Sequence, residues 1–327
     1  MLNQINGNNY LQNQANMKTK RYYINKGLFI SSLFAILMMG ITKMLFEYDV
    51  LFSGLFVASD FIIIPVVMGI INAHYWGNVE YTGGERARFS LFGSLLLLLF
   101  SFLFMAEGIF CLIIVSPLIF LFLFVGVIIG EQMYHKRKNK KLNVSIIGIL
   151  LIAFVIDVNA DHHYVRVVSD EIVIQATPEK IWKNVIAFKP IKEKPTFWMF
   201  KIGMPMPMET TVNDYCQGAG RKCIFNDSII FEETMTVFQP NKNLTFDIIT
   251  PPQDPEIIGH IETQKGQFLL KDNHNGTTTL IGNSWYKLNV FPAWYYNLWA
   301  ESIVRNVHLR VMYHIKALSE KQTEKHV

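Results

Sequence analysis

A series of long apolar runs governs the first half of this chain. Four of them, Gly27–Phe46, Val50–Ala73, Phe89–Met105 and Ile109–Gly130, approach or reach the ~20 residues that a helix needs to cross a bilayer. A fifth, Leu142–Val158, has an uninterrupted core of only Val144–Ile156, a length that also suits a buried or interfacial helix. The sequence therefore predicts a membrane α-helical region of four to five transmembrane helices over residues 24–158. A polar tail, residues 1–23, precedes it; its Asn/Gln-rich start reads as disordered. This tail is no signal peptide, because the first apolar run is too long for an h-region.

Basic residues orient the runs. Lys18, Lys20, Arg21 and Lys26 precede the first; Arg86 and Arg88 separate the second from the third; Lys136, Arg137, Lys138, Lys140 and Lys141 follow the fourth. The alternate loops carry Glu47, Asp49 and Glu107, and only Lys43 breaks the pattern. The positive-inside rule then places the N-terminus in the cytoplasm of an integral plasma- or inner-membrane protein. The basic block and the alternation together favour a spanning 142–158, so the C-terminal domain is expected outside the cytoplasm; it stays in the cytoplasm if that run does not span. The lipid bilayer is thus the first expected partner. Asp60 is the one acid in mid-run, costly at membrane depth, and is read either as a relay or as an acid packed against a neighbouring helix. Gly126 and Gly130 have the small-xxx-small spacing of helix packing.

Charge divides the chain at Val158. Residues 1–158 hold 12 Lys+Arg against 8 Asp+Glu, whereas the remainder holds 18 of each. The excess lies in blocks between apolar runs, which excludes a nucleic-acid surface. After a linker, 159–169, the sequence becomes that of a mixed soluble domain, 170–320, with a short tail, 321–327. His162 and His163 in the linker lack metal-ligand spacing, and no metal or other cofactor is expected.

Elements of the second half follow from its periodicities. Glu171–Gln175 alternates as a strand, and Thr177-Pro178-Glu179 opens a short helix carrying Ile181, Trp182 and Val185. Lys189–Met208 is rich in proline and aromatics and reads as an irregular loop. Arg221–Phe225, Ile229–Phe238, Leu244–Thr250, Gly266–Lys271 and Thr277–Leu288 read as strands, with a hairpin turn at Asn275-Gly276. Ala293–Ser319 reads as one long helix, with Val304, Val307, Val311, Ile315 and Leu318 on one face. This order predicts an α+β domain: a curved antiparallel sheet over a long C-terminal helix, able to leave an apolar cavity between them.

These residues resemble the SRPBCC (START-like) superfamily of polyketide cyclase/dehydrase and lipid-transport type, the birch-allergen fold. The resemblance spans about 170–320. It rests on ATPEKIWKNVIAF (176–188), GAGRKCIF (218–225), FEETMTVFQPNKNLTFDI (231–248), GQFLL (266–270), GTTTLIGNSWYKLNVFP (276–292) and VHLRVMYHIK (307–316). It implies a helix-grip domain whose cavity takes a hydrophobic small molecule or lipid. Cavity candidates are Trp182, Phe197, Trp198, Phe200, Arg221, Trp285, Tyr286, Trp294, Trp299, His308 and Arg310, each of which is also explained by packing or local pairing. Arg221 has Glu232 or Glu233 as strand partners, and Glu301 and Arg305 form an i,i+4 surface pair. Cys216 and Cys223 are candidate disulfide partners in an oxidising compartment. No phosphate-binding loop, nucleophile elbow, zinc motif or dinucleotide fingerprint is present, which argues against common kinases, hydrolases and dehydrogenases. The expected function is a membrane-anchored module that binds or transfers a hydrophobic molecule. Its alternatives are a cyclase/dehydrase-like enzyme using His308 or a buried acid, and a ligand sensor coupled to the helices. Protein partners are not readable from the sequence.

Overall fold

In a computed structural model the described residues are 2–47, 59–105, 108–135, 165–226, 229–250, 261–288, 290 and 292–324. They form two compact units, Met1–Asp161 and His162–Val327.

The first unit is helical. α1 spans Leu2–Glu47, α2 Ile64–Trp76, α3 Gly83–Phe100 and α4 Ile109–His135. Helix runs from Leu2, in place of the expected disordered tail. Extending a helix already nucleated by its apolar turns costs little, and the polar segment contains no proline to stop it. Among the described residues, three stretches, Ala15–Ile41, Gly83–Phe104 and Ile109–Tyr134, are long and apolar enough to cross a membrane, against the four to five expected of the whole region. The second run contributes only a shorter apolar helix, Phe61–Trp76, to the described residues, and the fifth run lies outside them. Asp60 falls in a π-helical turn, Ser59–Ile63, and its side chain lies outside the described part. Inside the unit, Ser31 donates to Asn72 Oδ1 at 3.0 Å and Trp76 to the carbonyl of Ile24 at 3.3 Å. Thr82 and Glu85 form a capping box that starts α3. Arg86 pairs with Glu131 at 2.8 Å, tying α3 to α4.

The second unit is α+β. β1 (Val165–Ile174) leads to α5 (Pro178–Ile186) and a single turn, α6 (Trp198–Lys201). Then come β2 (Pro207–Val212), β3 (Gly220–Phe225), β4 (Ile230–Gln239), β5 (Asn243–Thr250), β6 (Ile261–Asp272) and β7 (Thr278–Leu288). α7 (Ala293–Glu324) closes the domain. The seven strands form one antiparallel sheet in the order β1-β7-β6-β5-β4-β3-β2, and α7 packs on it as the gripped helix. β1 begins at Val165 rather than Glu171, so Val165–Ser169, read as linker, pair with Ser284–Lys287 and with Asn283 of β7. β2 occupies part of the segment read as irregular; it is a short edge strand that starts on a proline and carries a bulge.

One face of the sheet is apolar because alternate residues of each strand point the same way. Ile174, Met235, Leu244, Phe246, Phe268, Leu270 and Leu280 meet Ile181 and Val185 of α5 and Val311, Met312 and Ile315 of α7. Side chains therefore fill the space between the sheet and the C-terminal half of α7. Gly282 lets α7 approach: a Cβ there would lie 3.0 Å from Met312 Sδ.

Candidate functional site

α7 presents two chemically different faces to its own domain. A turn of 3.6 residues puts His308 and Arg310 about 200° apart, so they cannot serve one cavity.

Arg310 belongs to a pocket of about 190 Å³ between α7 and the segment 191–200. Phe197, Phe200, Leu309 and Tyr313 give it apolar walls, and Glu193, Lys194, Arg310 and His314 supply its charged and polar groups. Arg310 donates to the carbonyls of Pro207 and Glu193, both at 3.2 Å. His314 bridges Glu193 Oε2 at 3.1 Å and the carbonyl of Lys189 at 2.9 Å. These bonds fasten the proline-rich segment to the helix and give the pocket its wall. Glu193, Tyr313 and His314 were not singled out in the sequence. The signal was the i,i+4 spacing of Arg310 and His314, which places them on one face.

His308 lies on the sheet side, 6% exposed. Its Nε2 is 2.7 Å from Ser284 Oγ on β7 and its Nδ1 is 3.0 Å from Asp170 Oδ2 on β1. Arg305 donates from Nε to the other oxygen of Asp170 at 2.9 Å and pairs with Glu301 at 3.2 Å. Arg305 is thus shared between two acids rather than confined to the expected surface pair. Burial pushes the His308 imidazole below its ordinary value, and the Asp170 carboxylate opposes that push. The unfolded chain then takes up a proton below about pH 6.5 that the folded site resists. Stability contributed here is complete above that pH and declines as the pH falls toward the depressed folded value. His308→Gln is expected to flatten this slope, read as the difference in thermal midpoint between pH 7.5 and pH 5.5. An unchanged slope would contradict the burial of a neutral imidazole.

The remaining candidates are dispersed. Trp182 is buried against Phe238 with ring centroids 5.4 Å apart. Arg221 is buried and paired with Glu233, directly opposite it across β3 and β4, while its guanidinium lies 4.4 Å from the Phe246 ring centre. Burial pushes the Glu233 carboxyl up, and Arg221 pulls it back. Tyr286 is 1% exposed and donates to Asn297 at 2.9 Å. Trp285, the next residue along β7, points to the opposite face, where Lys265 lies 5.3 Å from its ring centre. It is therefore not part of the helix-facing cavity that the sequence suggested. Trp198 and Trp294 are 47% and 70% exposed, and Trp299 packs on Tyr295. Cys216 and Cys223 are free thiols, not a disulfide. Cys216 sits in an exposed turn, whereas Cys223 is held in β3 between Thr210 and Phe231, where burial pushes its thiol up to about 12. The linker histidines lie outside the described residues.

No protein-family model matches the chain. No curated protein matches it in sequence. Among solved structures, the Zhui aromatase/cyclase from Streptomyces sp. R1128 is 10% identical over 49% of this chain and 96% of its own, with a TM-score of 0.35. Norcoclaurine synthase from Thalictrum flavum is 10% identical over 49% of this chain and 88% of its own, TM-score 0.33. A protein from Nitrosospira multiformis is 16% identical over 46% of this chain and 94% of its own, TM-score 0.32. Likeness at this level assigns no activity to the chain.

Proposed function

We propose that the C-terminal domain binds a hydrophobic small molecule or lipid and that the apolar helices hold it at a bilayer. The pocket between α7 and 191–200 carries this reading: four large apolar side chains converge on it beside Arg310 and Lys194. At about 190 Å³ it is below the ~300–1,000 Å³ of sites that enclose a whole drug-sized ligand. It suits one end of an amphipathic molecule, a ring or a short stretch of acyl chain, with an anionic or carbonyl group at the cations. Three candidate spans support the membrane tether, which brings the pocket to where such molecules partition. The cyclase reading rests on His308, which faces the other side of α7; His314, the imidazole that does line this pocket, has both ring nitrogens engaged, by Glu193 and by the carbonyl of Lys189, and so binding is favoured over catalysis at this pocket.

Native mass spectrometry of the full chain, purified in mild detergent and followed by solvent extraction, tests the proposal. The expected result is a lipophilic adduct at up to one per chain, lost in Leu309→Trp, whose larger side chain fills the pocket. A wild-type chain that is empty, or an adduct retained equally in the variant, would overturn it.

A further inference from the structure

We infer that Ser284, His308 and Asp170 form a nucleophilic triad able to take the acyl group of an uncharged, lipophilic carboxylic ester. The triad lies on the sheet side of α7, so this inference is independent of the pocket proposed above.

The chemistry follows from donors and acceptors. Both oxygens of Asp170 face donors, Arg305 Nε on one and His308 Nδ1 on the other. A carboxylate that accepts at both oxygens requires His308 to carry its proton on Nδ1. Burial of the imidazole favours the neutral ring, and a neutral ring protonated on Nδ1 leaves Nε2 as an acceptor. The Ser284 hydroxyl then donates to Nε2 across 2.7 Å, the orientation in which a base withdraws its proton. Three separate elements fix this arrangement: β1 supplies Asp170, β7 supplies Ser284 and α7 supplies His308. His308 and Asp170 are nearly closed to solvent, with side chains 7% and 10% exposed, while Ser284 is half-buried and so partly reachable. Its surroundings set the substrate class. Val168 pairs with Ser284 and is buried; Gly282 and the buried Tyr286 flank it on the same face of β7; Met312 covers Gly282. These neighbours carry no charge, so an uncharged acyl group is the class proposed to reach Ser284 from its partly exposed side.

In the reaction, the Ser284 Oγ–C bond forms at the ester carbonyl as the hydroxyl proton moves to His308 Nε2. The ester C–O bond then breaks, and the leaving alcohol takes that proton. Water, deprotonated by the same nitrogen, cleaves the acyl-serine to the carboxylic acid and restores the hydroxyl.

The test uses the full chain in detergent with an alkyl fluorophosphonate. Ser284 Oγ bonds to phosphorus, fluoride leaves, and His308 accepts the serine proton. The expected result is one adduct, on the peptide containing Ser284, absent in Ser284→Ala and formed at least about 100-fold more slowly in His308→Gln. Asp170→Asn keeps the shape of its side chain and is expected to slow labelling similarly; it serves as the second reading if His308→Gln does not fold. A merely structural pin between helix and sheet would not make Ser284 reactive. No adduct at Ser284 in the folded wild type, or labelling at an unchanged rate in the folded base or orienting variant, would overturn the triad.

Discussion

Glu233→Ala is expected to destabilise the C-terminal domain by about 3–5 kcal/mol, because it strands a guanidinium in the core. Arg221 and Glu233 face each other across β3 and β4, and both side chains are almost wholly buried. Their attraction does little more than offset the desolvation of two charges, so the pair itself contributes little net stability. Removing one partner exposes the full cost of the other. The thermal midpoint of the domain should fall by roughly 10 °C. The double variant Arg221→Met/Glu233→Leu should recover most of this loss, since no charge then remains buried. Recovery is incomplete for a specific reason: Arg221 also donates to the carbonyl of Ile186 at 3.1 Å, and that acceptor loses its partner. A double variant as unstable as Glu233→Ala would show that the pair has a role beyond mutual neutralisation.

Gly126→Leu is expected to separate α2 from α4 and dismantle the packing of the helical unit. A Cβ at 126 would lie 2.2 Å from the carbonyl oxygen of Val66, and one at Gly69 would lie 2.3 Å from that of Leu123. At Gly130 it would come within 2.5 Å of Ala73 Cβ. The first two are contacts with backbone and the third is with a methyl group that has no rotamer, so no side-chain rotation relieves them and the cost is about 3 kcal/mol, at the upper end of ordinary overpacking. A cysteine pair introduced across α2 and α4 should cross-link in the parent and fail to do so in Gly126→Leu. Gly40→Ala is the control, because a Cβ there meets nothing within 4 Å. Equal cross-linking in Gly126→Leu would mean that the two helices do not pack through these glycines.

The glycine spacing was legible because small residues at i and i+4 share one helix face, and so were most strands, whose β-branched alternation is local. β7 and the hairpin before it follow from TTTLIG after Asn275-Gly276, where Gly276 adopts φ +82°. β2 was not legible: Pro207 and its short apolar content suit an edge strand only once β3 is in place. The start of β1 was missed for a related reason, since Val165–Ser169 become strand by pairing with β7. Arg221 was traceable to a strand neighbour, and the register selected Glu233 over Glu232. Phe197, Phe200 and Arg310 were found as aromatics and a cation near a helix, but their convergence depends on how the 191–200 segment folds back. Ser284 and Asp170 had no local signal. Asp170 is 138 residues from His308 in sequence, and only the sheet order β1-β7 brings it beside the serine strand.

Photo-cross-linking tests the binding proposal most directly. The full chain in lipid nanodiscs would be exposed to a fatty acid carrying a diazirine on its acyl chain, and the adducts mapped by peptide mass spectrometry. The expected adducts fall at Phe197–Phe200 and Leu309–Tyr313, and they disappear in Leu309→Trp while labelling of the apolar helices persists. Adducts confined to the apolar helices, or pocket labelling unchanged by Leu309→Trp, would contradict a lipid-binding role for this domain.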